Sequence, residues 1–562
     1  MIYSGGLGLV VSSPLNLIID AWLPVRRHSG ASTRVAPSGL TEGIEDDPIV
    51  AFAWERPDFD AAAVELVIGL LATACADRLG RRVWLDWWER PPTPMELAER
   101  LARLTPFFGL DGDGPRFMQD LDPLADAGEV GVAALLIDSP GGQTLDQNRD
   151  LFVKRRRAAV IGRSAAAIAL FTLNAFAPAG GAGIRTSLRG GGPFTCMVLP
   201  ETQGRAPLPL WRVLWLNALA PREAGDRGNA RFPWCVPTRV SKAPGCVTTP
   251  TDVDSLQAFW GMPRRTRLLF ETNTEMLSCD LTGEVEPVVV RTYRSRPHGN
   301  SYKGWSRVHP LTPYYRIKAT DTAWLPRHPQ PGRLAYRDWV GLVVADAAGD
   351  DARVAPAAVV ASARGRLREA RAGDGRSVRL VAAGYDMDNM KPRGFVESAM
   401  PVVALDEAEV QAAASLARRL VAGAEVAARL LSGCVRQALA AEVGDKGGVQ
   451  EAKDRFWAET EARFFALLER SALGDTPEDE PTARCQEWRR DLSKHARAIF
   501  DAACPLDVEA PRGVEAVIAA RRRLGLGLEG HGKDGRDLFE ALGLPPSEPT
   551  GKTVGKGRKG SA

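Results

Sequence analysis

DEAEVQAAASLARRLVAGAEVAARLL, residues 406–431, consists largely of Ala, Leu, Val, Glu and Arg and contains no proline, the composition of a long helix. Asp406 and Glu409 stand at a capping-box spacing, so the helix opens there, and Leu416, Leu420, Leu430 and Leu431 carry its apolar side. The same texture continues downstream. Trp457, Phe464 and Leu468 mark a second helix. Trp488, Leu492, His495 and Ile499 recur at i, i+4, i+7 and i+11 and mark a third. Pro511 introduces a fourth through Val514, Val517 and Ile518 to Leu524. Consecutive helices with short connections pack antiparallel, which predicts a C-terminal four-helix bundle over 401–525. Beyond it, 526–562 reads as a flexible basic tail, with Lys552, Lys556, Arg558 and Lys559 in its Gly-, Ser- and Pro-rich end.

Before residue 400 the pattern is different. NLIIDAWLPV from Asn16 reads as a strand entering a proline turn, and PIVAFAWERPD from Pro48 repeats that grammar. Val64, Val67, Ile68, Leu71 and Cys75 predict a helix with one face in the core. The apolar window 158–177 contains Arg163, Ser164 and Asn174 and so predicts a buried helix, not a membrane span. Between 193 and 401, short runs such as MVLP, RTRLLFE, VEPVVVRTY and WVGLVVAD are broken by Pro, Gly and Asn, with neither a repeat nor regular βαβ alternation. The predicted fold is therefore α+β: a large irregular mixed α/β N-terminal domain over 1–400, followed by the bundle.

The chain has 562 residues, 45% of them hydrophobic and 25% charged, which excludes a mainly disordered or fibrous protein. Lys and Arg total 72 against 69 Asp and Glu, so any affinity for nucleic acid must come from local clusters. The eight cysteines include no CxxC pair, as expected of reduced thiols in a cytoplasmic protein. Residues 7–11 are apolar but lack a basic leader, and Asp20 interrupts the run, so neither an export signal nor a membrane partner is expected.

Signatures of catalysis are weak. His28, His298, His309, His328, His495 and His531 form no ligand spacing, and CDLTGE from Cys279 is half of a zinc knuckle with no second half. Gly525, Gly527 and Gly530 spell GxGxxG, but an Arg-rich helical run precedes them where a dinucleotide site needs a strand. There is no P-loop and no nucleophile elbow. DGDG from Asp111 and DMDN from Asp386 read as turns; as metal-binding acidic loops they would give the alternative reading, a stand-alone metal-dependent nucleic-acid-processing enzyme. The leading expectation is a non-enzyme with no metal and no cofactor.

Basic residues cluster instead. NRDLFVKRRR from Asn148 places Arg149, Lys154, Arg155, Arg156 and Arg157 within ten residues, enough to meet several phosphates without base preference. APAGGAGIRTSLRGGG from Ala177 follows, with Arg185 and Arg189 among glycines whose bare backbone can approach a groove.

Seven segments now stand in a recognisable order: NLIIDAWLPV, RFMQD from Arg116, LLIDSPGGQ from Leu135, NRDLFVKR, APAGGAGIRTSLRGG, YKGWSRVHPLTPY from Tyr302 and GYDMDNM from Gly384. Over residues 14–525 the chain resembles CasA-type proteins, the large subunits of the type I-E CRISPR Cascade complex. The resemblance implies a non-catalytic subunit that reads the protospacer-adjacent motif (PAM) in double-stranded DNA and promotes strand opening, while the guide RNA supplies sequence by pairing. It implies as partners the guide-RNA-bound backbone and small subunits, the guide RNA, PAM-bearing duplex DNA and a recruited nuclease-helicase. The family's groove-entering glycine loop matches Ala179, Gly180, Gly181 and Ala182, two of the usual glycines standing as alanine. Its strand-separating wedge matches Asn389 and Met390, with Lys391 following, and its guide-anchoring loop matches Leu136, Ile137 and Asp138. The family places a basic residue just before the position of Cys279, where this chain has Ser278; Arg264, Arg265 and Arg267 are the candidates to replace it. The bundle resembles the part that contacts the paired small subunits and guides the displaced strand.

Overall fold

The structure is a computed structural model that describes residues 13–150, 157–200, 207–221, 231–330, 334–347, 351–371, 378–388, 391–403, 406–439, 446–472, 481–506 and 511–546. The chain divides into two compact units, Met1–Arg333 with Gly341–Asp406, and Leu334–Val340 with Glu407–Ala562.

The first unit is mixed and irregular, as its broken apolar runs require. Strand Leu23–Arg27 is the middle of a three-stranded antiparallel sheet, between Ser32–Val35 and Ile49–Phe52. NLIID is thus a turn, not a strand: Asn16 N–H meets the Asp20 carboxylate at 2.7 Å, and extended structure begins only at Leu23. Helix Pro57–Ala74 is buried on nearly every side, not on one face. Its Ala and Gly positions, which carry little periodicity signal, admit neighbours as closely as the apolar ones do.

Further sheets come from two hairpins. Arg265–Thr272 pairs with Val288–Arg296, and Val378–Asp388 pairs with Lys391–Pro401 and, on its other edge, with Thr195–Pro200. The buried helix expected in 158–177 spans Arg163–Phe176. Buried tryptophans hold the irregular segments through their N–H groups: Trp84 and Trp215 each donate to the other's carbonyl at 3.0 Å.

The second unit is helical. Glu407–Leu439, Lys446–Ala472, Pro481–Ala503 and Pro511–Leu528 are the four long helices. Phe464, Leu468, Trp488, Leu492 and Ile499 are buried in them, and the Trp488 indole donates to Leu420 O at 2.9 Å. Tyr336, from the returning Leu334–Val340 segment, stacks on Phe464 with ring centroids 4.5 Å apart. The tail expected from residue 526 does not begin there. Helix Pro511–Leu528 runs past that point, and a fifth, short helix, Gly532–Leu542, buries Leu538 and Leu542. The GxGxxG glycines belong to this packing: a side chain at Gly527 would lie 2.5 Å from Leu430. Residues 547–562 lie outside the described part. No described helix is long and apolar enough to cross a membrane.

Candidate nucleic-acid interface

The glycine-rich segment is a closed loop leaving helix Arg163–Phe176. Its base is tied by Ser187 N–H to Ala177 O at 3.0 Å and Gly192 N–H to Phe176 O at 3.0 Å. At its tip Gly180, Gly181 and Ala182 are exposed, and Ala179 is half-buried. The tip is stiff. Gly181 O accepts from Ile184 N–H at 3.1 Å, and His298 N–H donates to Gly183 O at 2.7 Å. Gly183 has φ +77°, and a β-carbon there would meet the His298 ring at 2.8 Å, so both conformation and space demand glycine. Arg185 donates to Ser241 O at 2.7 Å and Oγ at 2.8 Å, which fixes the descending limb.

The hairpin of Val378–Asp388 and Lys391–Pro401 stands on the same footing. Phe176, which ends the helix before the loop, packs edge-on against Tyr385 and Phe395 at 6.0 and 6.3 Å. Gly192, at the loop's far end, has φ +66°, and a β-carbon there would lie 2.5 Å from the Tyr385 carbonyl oxygen. Asp388 pairs with Lys391 across the hairpin end, and both are exposed. Asn389 and Met390, between them, lie outside the described residues.

The leading aspartate of each acidic stretch is engaged internally. Asp111 accepts from Leu15 N–H at 2.6 Å and pairs with Arg163 at 3.2 Å. Asp386 is not in a turn but in strand Val378–Asp388, gripped by Arg393 at 2.7 and 3.0 Å. Among the described residues no group of three or more His, Cys, Asp or Glu is placed to hold a metal ion. CDLTGE is a tight loop in which Cys279 N–H donates to Glu284 O at 2.7 Å.

The profile of CRISPR-associated protein Cse1 matches residues 16–499. The chain belongs to the Cse1 family. Its fold is similar to Thermus thermophilus CasA (Cse1), with TM-score 0.67 at 19% identity over 91% of this chain and 99% of that one. It is also similar to Thermobifida fusca Cse1, with TM-score 0.67 at 18% identity over 94% and 98% of the two chains. A chain of a CRISPR RNA-guided surveillance complex matches with TM-score 0.63 at 16% identity over 91% and 100%. At these identities the likeness shows the Cse1 fold alone. No curated protein matches the chain.

Within this Cse1 fold, several expected site residues take other positions. Arg189 is not available to phosphate: it is 3% exposed and pairs with Glu65 at 2.6 Å. It also reaches Thr195 and Thr312 hydroxyls at 3.2 and 3.1 Å. Leu136 and Ile137 are buried at 6% exposure each, so only Asp138 of that loop offers its side chain outward. Arg149 and Arg157 are exposed; Lys154, Arg155 and Arg156 lie outside the described residues.

Ser278 is exposed but stands at the wrong end of its hairpin. The 273–287 connection follows the Thr272–Val288 pair, whereas the glycine loop touches the opposite end, where Arg265 pairs with Arg296 and His298 follows. Eight strand residues separate those ends by about 26 Å. Of the proposed replacements, Arg265 pairs with Asp120 at 2.5 Å and Arg267 donates to Asp120 O at 3.0 Å. Arg264 alone meets the loop, donating to Pro178 O at 2.5 Å from beneath Gly180. Burial pulls its guanidinium down to about 10, opposed by Tyr293, so it stays charged at neutral pH.

One cluster had no signal in the sequence. Arg56 grips Asp58 through two nitrogens at 2.8 and 3.1 Å and reaches Asp138 at 3.1 Å, while the Tyr385 hydroxyl donates to Asp58 at 2.5 Å. The Arg56–Asp58 step is local in ERPD, but Tyr385 lies 327 residues away from Asp58, beyond any spacing rule.

Proposed function

We propose that this Cse1 family member is the non-catalytic large subunit of a type I-E Cascade complex, present in the cytoplasm. It recognises the PAM in duplex DNA through the loop at Ala179, Gly180, Gly181 and Ala182. It opens the first base pair with Asn389, Met390 and Lys391, docks on the guide-bound subunits through Asp138 and its loop, and helps recruit the nuclease-helicase. The observation that carries this reading is the common footing of loop and hairpin at Phe176, Gly192 and Tyr385. A bare backbone that enters a groove and a wedge that unstacks the neighbouring step must act on one stretch of duplex, so they need a fixed mutual position. Arg149 and Arg157 add sequence-independent phosphate attraction. The likeness to a chain of a CRISPR RNA-guided surveillance complex supports the same assembly.

The test is binding of PAM-bearing and PAM-mutated duplexes by the guide-RNA complex with and without this chain, at fixed physiological salt, with DNA cleavage followed in the same tubes. Tight PAM-dependent binding only with the chain present, on intact DNA, is the expected result. Cleavage by the chain alone with Mg2+ or Mn2+, or unchanged PAM discrimination, overturns it. The double substitution Asn389→Asp, Met390→Asp places charge beside phosphates and is expected to impair strand opening far more than folding. Unchanged opening removes the wedge assignment.

A further inference from the structure

We propose that Arg56, Asp58 and Tyr385 are positioning residues that relay the seating of the Asp138 loop to the strand-opening hairpin. This rests on the function proposed above. Four side chains from three separate parts of the chain form one unbroken series: Asp138 to Arg56 at 3.1 Å, Arg56 to both oxygens of Asp58 at 2.8 and 3.1 Å, and Asp58 to the Tyr385 hydroxyl at 2.5 Å. Asp58 is 3% exposed and Tyr385 1%, so no solvent intervenes at the inner end. Asp138, with its side chain 40% exposed, is the member that an arriving partner can touch.

The chemistry makes the series responsive. Arg56 serves two carboxylates with one fork, so displacement of Asp138 frees a donor and re-centres the guanidinium on Asp58. Asp58 in turn is the acceptor for Tyr385, whose phenol burial and the adjacent Asp58 keep protonated, and hence always a donor. Tyr385 stands three residues before Asp388, the last paired residue of its strand at the hairpin tip, and its carbonyl abuts Gly192 at the foot of the glycine loop. A shift of its hydroxyl is therefore felt by both DNA-facing elements.

Tyr385→Phe removes only the donor and keeps the ring against Phe176 and Phe395. In the assembled guide-RNA complex, incorporation of the chain and Kd for a PAM-bearing duplex are expected to stay within about twofold. The opening rate, read from 2-aminopurine fluorescence beside the PAM, is expected to fall about tenfold, the scale of one hydrogen bond to a charged group. A passive packing role would move stability and binding together, not opening alone. Asp138→Asn combined with Tyr385→Phe is expected to open no more slowly than the slower single variant, because both interrupt one series. Should Tyr385→Phe lower the thermal transition, Arg56→Lys, which keeps the charge but loses the two-oxygen grip, is read in the same assay with the same expectation. Wild-type opening in these variants, or single effects that multiply in the double, overturns the relay and leaves the proposed function standing. A wild-type complex that neither binds nor opens PAM duplexes overturns both.

Discussion

Arg189 shows how a residue can be legible in type and illegible in role. Set in TSLRGGG, it has the local signature of a groove-facing cation, yet its partner Glu65 lies 124 residues earlier, on a helix buried almost throughout. Burial alone would raise Glu65, but Arg189, His309 and Thr195 together hold it down to about 2. Arg189→Met leaves that carboxylate buried without its partner and is expected to cost about 3–5 kcal/mol, measured by chemical denaturation. Glu65→Gln in the same chain is expected to return part of the loss. His309 adds a pH dependence. Burial, with Arg189 beside it, lowers its imidazole from 6.5 to about 4. Nδ1 accepts from Leu311 N–H at 3.3 Å, which leaves the ring proton on Nε2, facing Glu65 at 3.5 Å. Between pH 6.5 and 4 the unfolded histidine binds a proton that the folded one refuses, and between 4.5 and 2 the same holds for Glu65. Both shifts therefore lower stability as pH falls. His309→Gln is expected to flatten the upper window and, by removing one of the groups that hold Glu65 down, to narrow the lower one; an unchanged slope between pH 6.5 and 4 would refute the assignment.

Elements were readable where their signal is local. The four long helices follow from apolar spacing and from Pro511, because a helix advertises its buried face within a dozen residues. The acidic stretch at 386 misled for the opposite reason: Asp and Asn suggest a turn, but the cross-strand partner Arg393 keeps Asp386 extended, and the pairing closes only at Asp388 and Lys391. Glycines separate the loop's structural and functional positions. At Gly192 an added β-carbon meets a backbone oxygen at 2.5 Å, whereas at Gly181, with φ +105°, it meets nothing within 4 Å. Gly192→Ala therefore combines left-handed strain of about 1–3 kcal/mol with a clash that no side-chain rotation relieves. Gly181→Ala carries the strain alone. Thermal unfolding is expected to drop clearly more for Gly192→Ala, while Gly181→Ala, at the exposed tip, weakens PAM-duplex binding in the complex more than it lowers stability. Equal thermal shifts would mean that the foot of the loop is not the packed junction described here.

At the scale of the whole molecule, composition predicted a change of texture near residue 400 but gave no sign that Leu334–Val340 belongs with the helices. That membership depends on Tyr336 stacking between distant aromatic residues, and ring packing at such separations leaves no periodicity to read. Charge behaves similarly. A net charge of +3 gives the chain no strong field, so its contribution to DNA affinity must come from local groups of exposed cations that are not paired internally. Many arginines are committed internally: Arg163 to Asp111, Arg189 to Glu65, Arg265 to Asp120 and Arg393 to Asp386. Arg149 and Arg157, exposed on either side of residues 151–156, are not in that position. Each phosphate contact releases counterions, so removing two cations that touch phosphate reduces the slope of log Kd against log salt by about 1.8. Arg149→Ala with Arg157→Ala is thus expected to weaken PAM-bearing and PAM-mutated duplexes equally and to flatten the salt dependence by roughly that amount, leaving the ratio between them intact. A changed ratio with an unchanged slope would mean that these residues read the PAM and do not hold the backbone, and the division of labour between basic surface and glycine loop would have to be reversed.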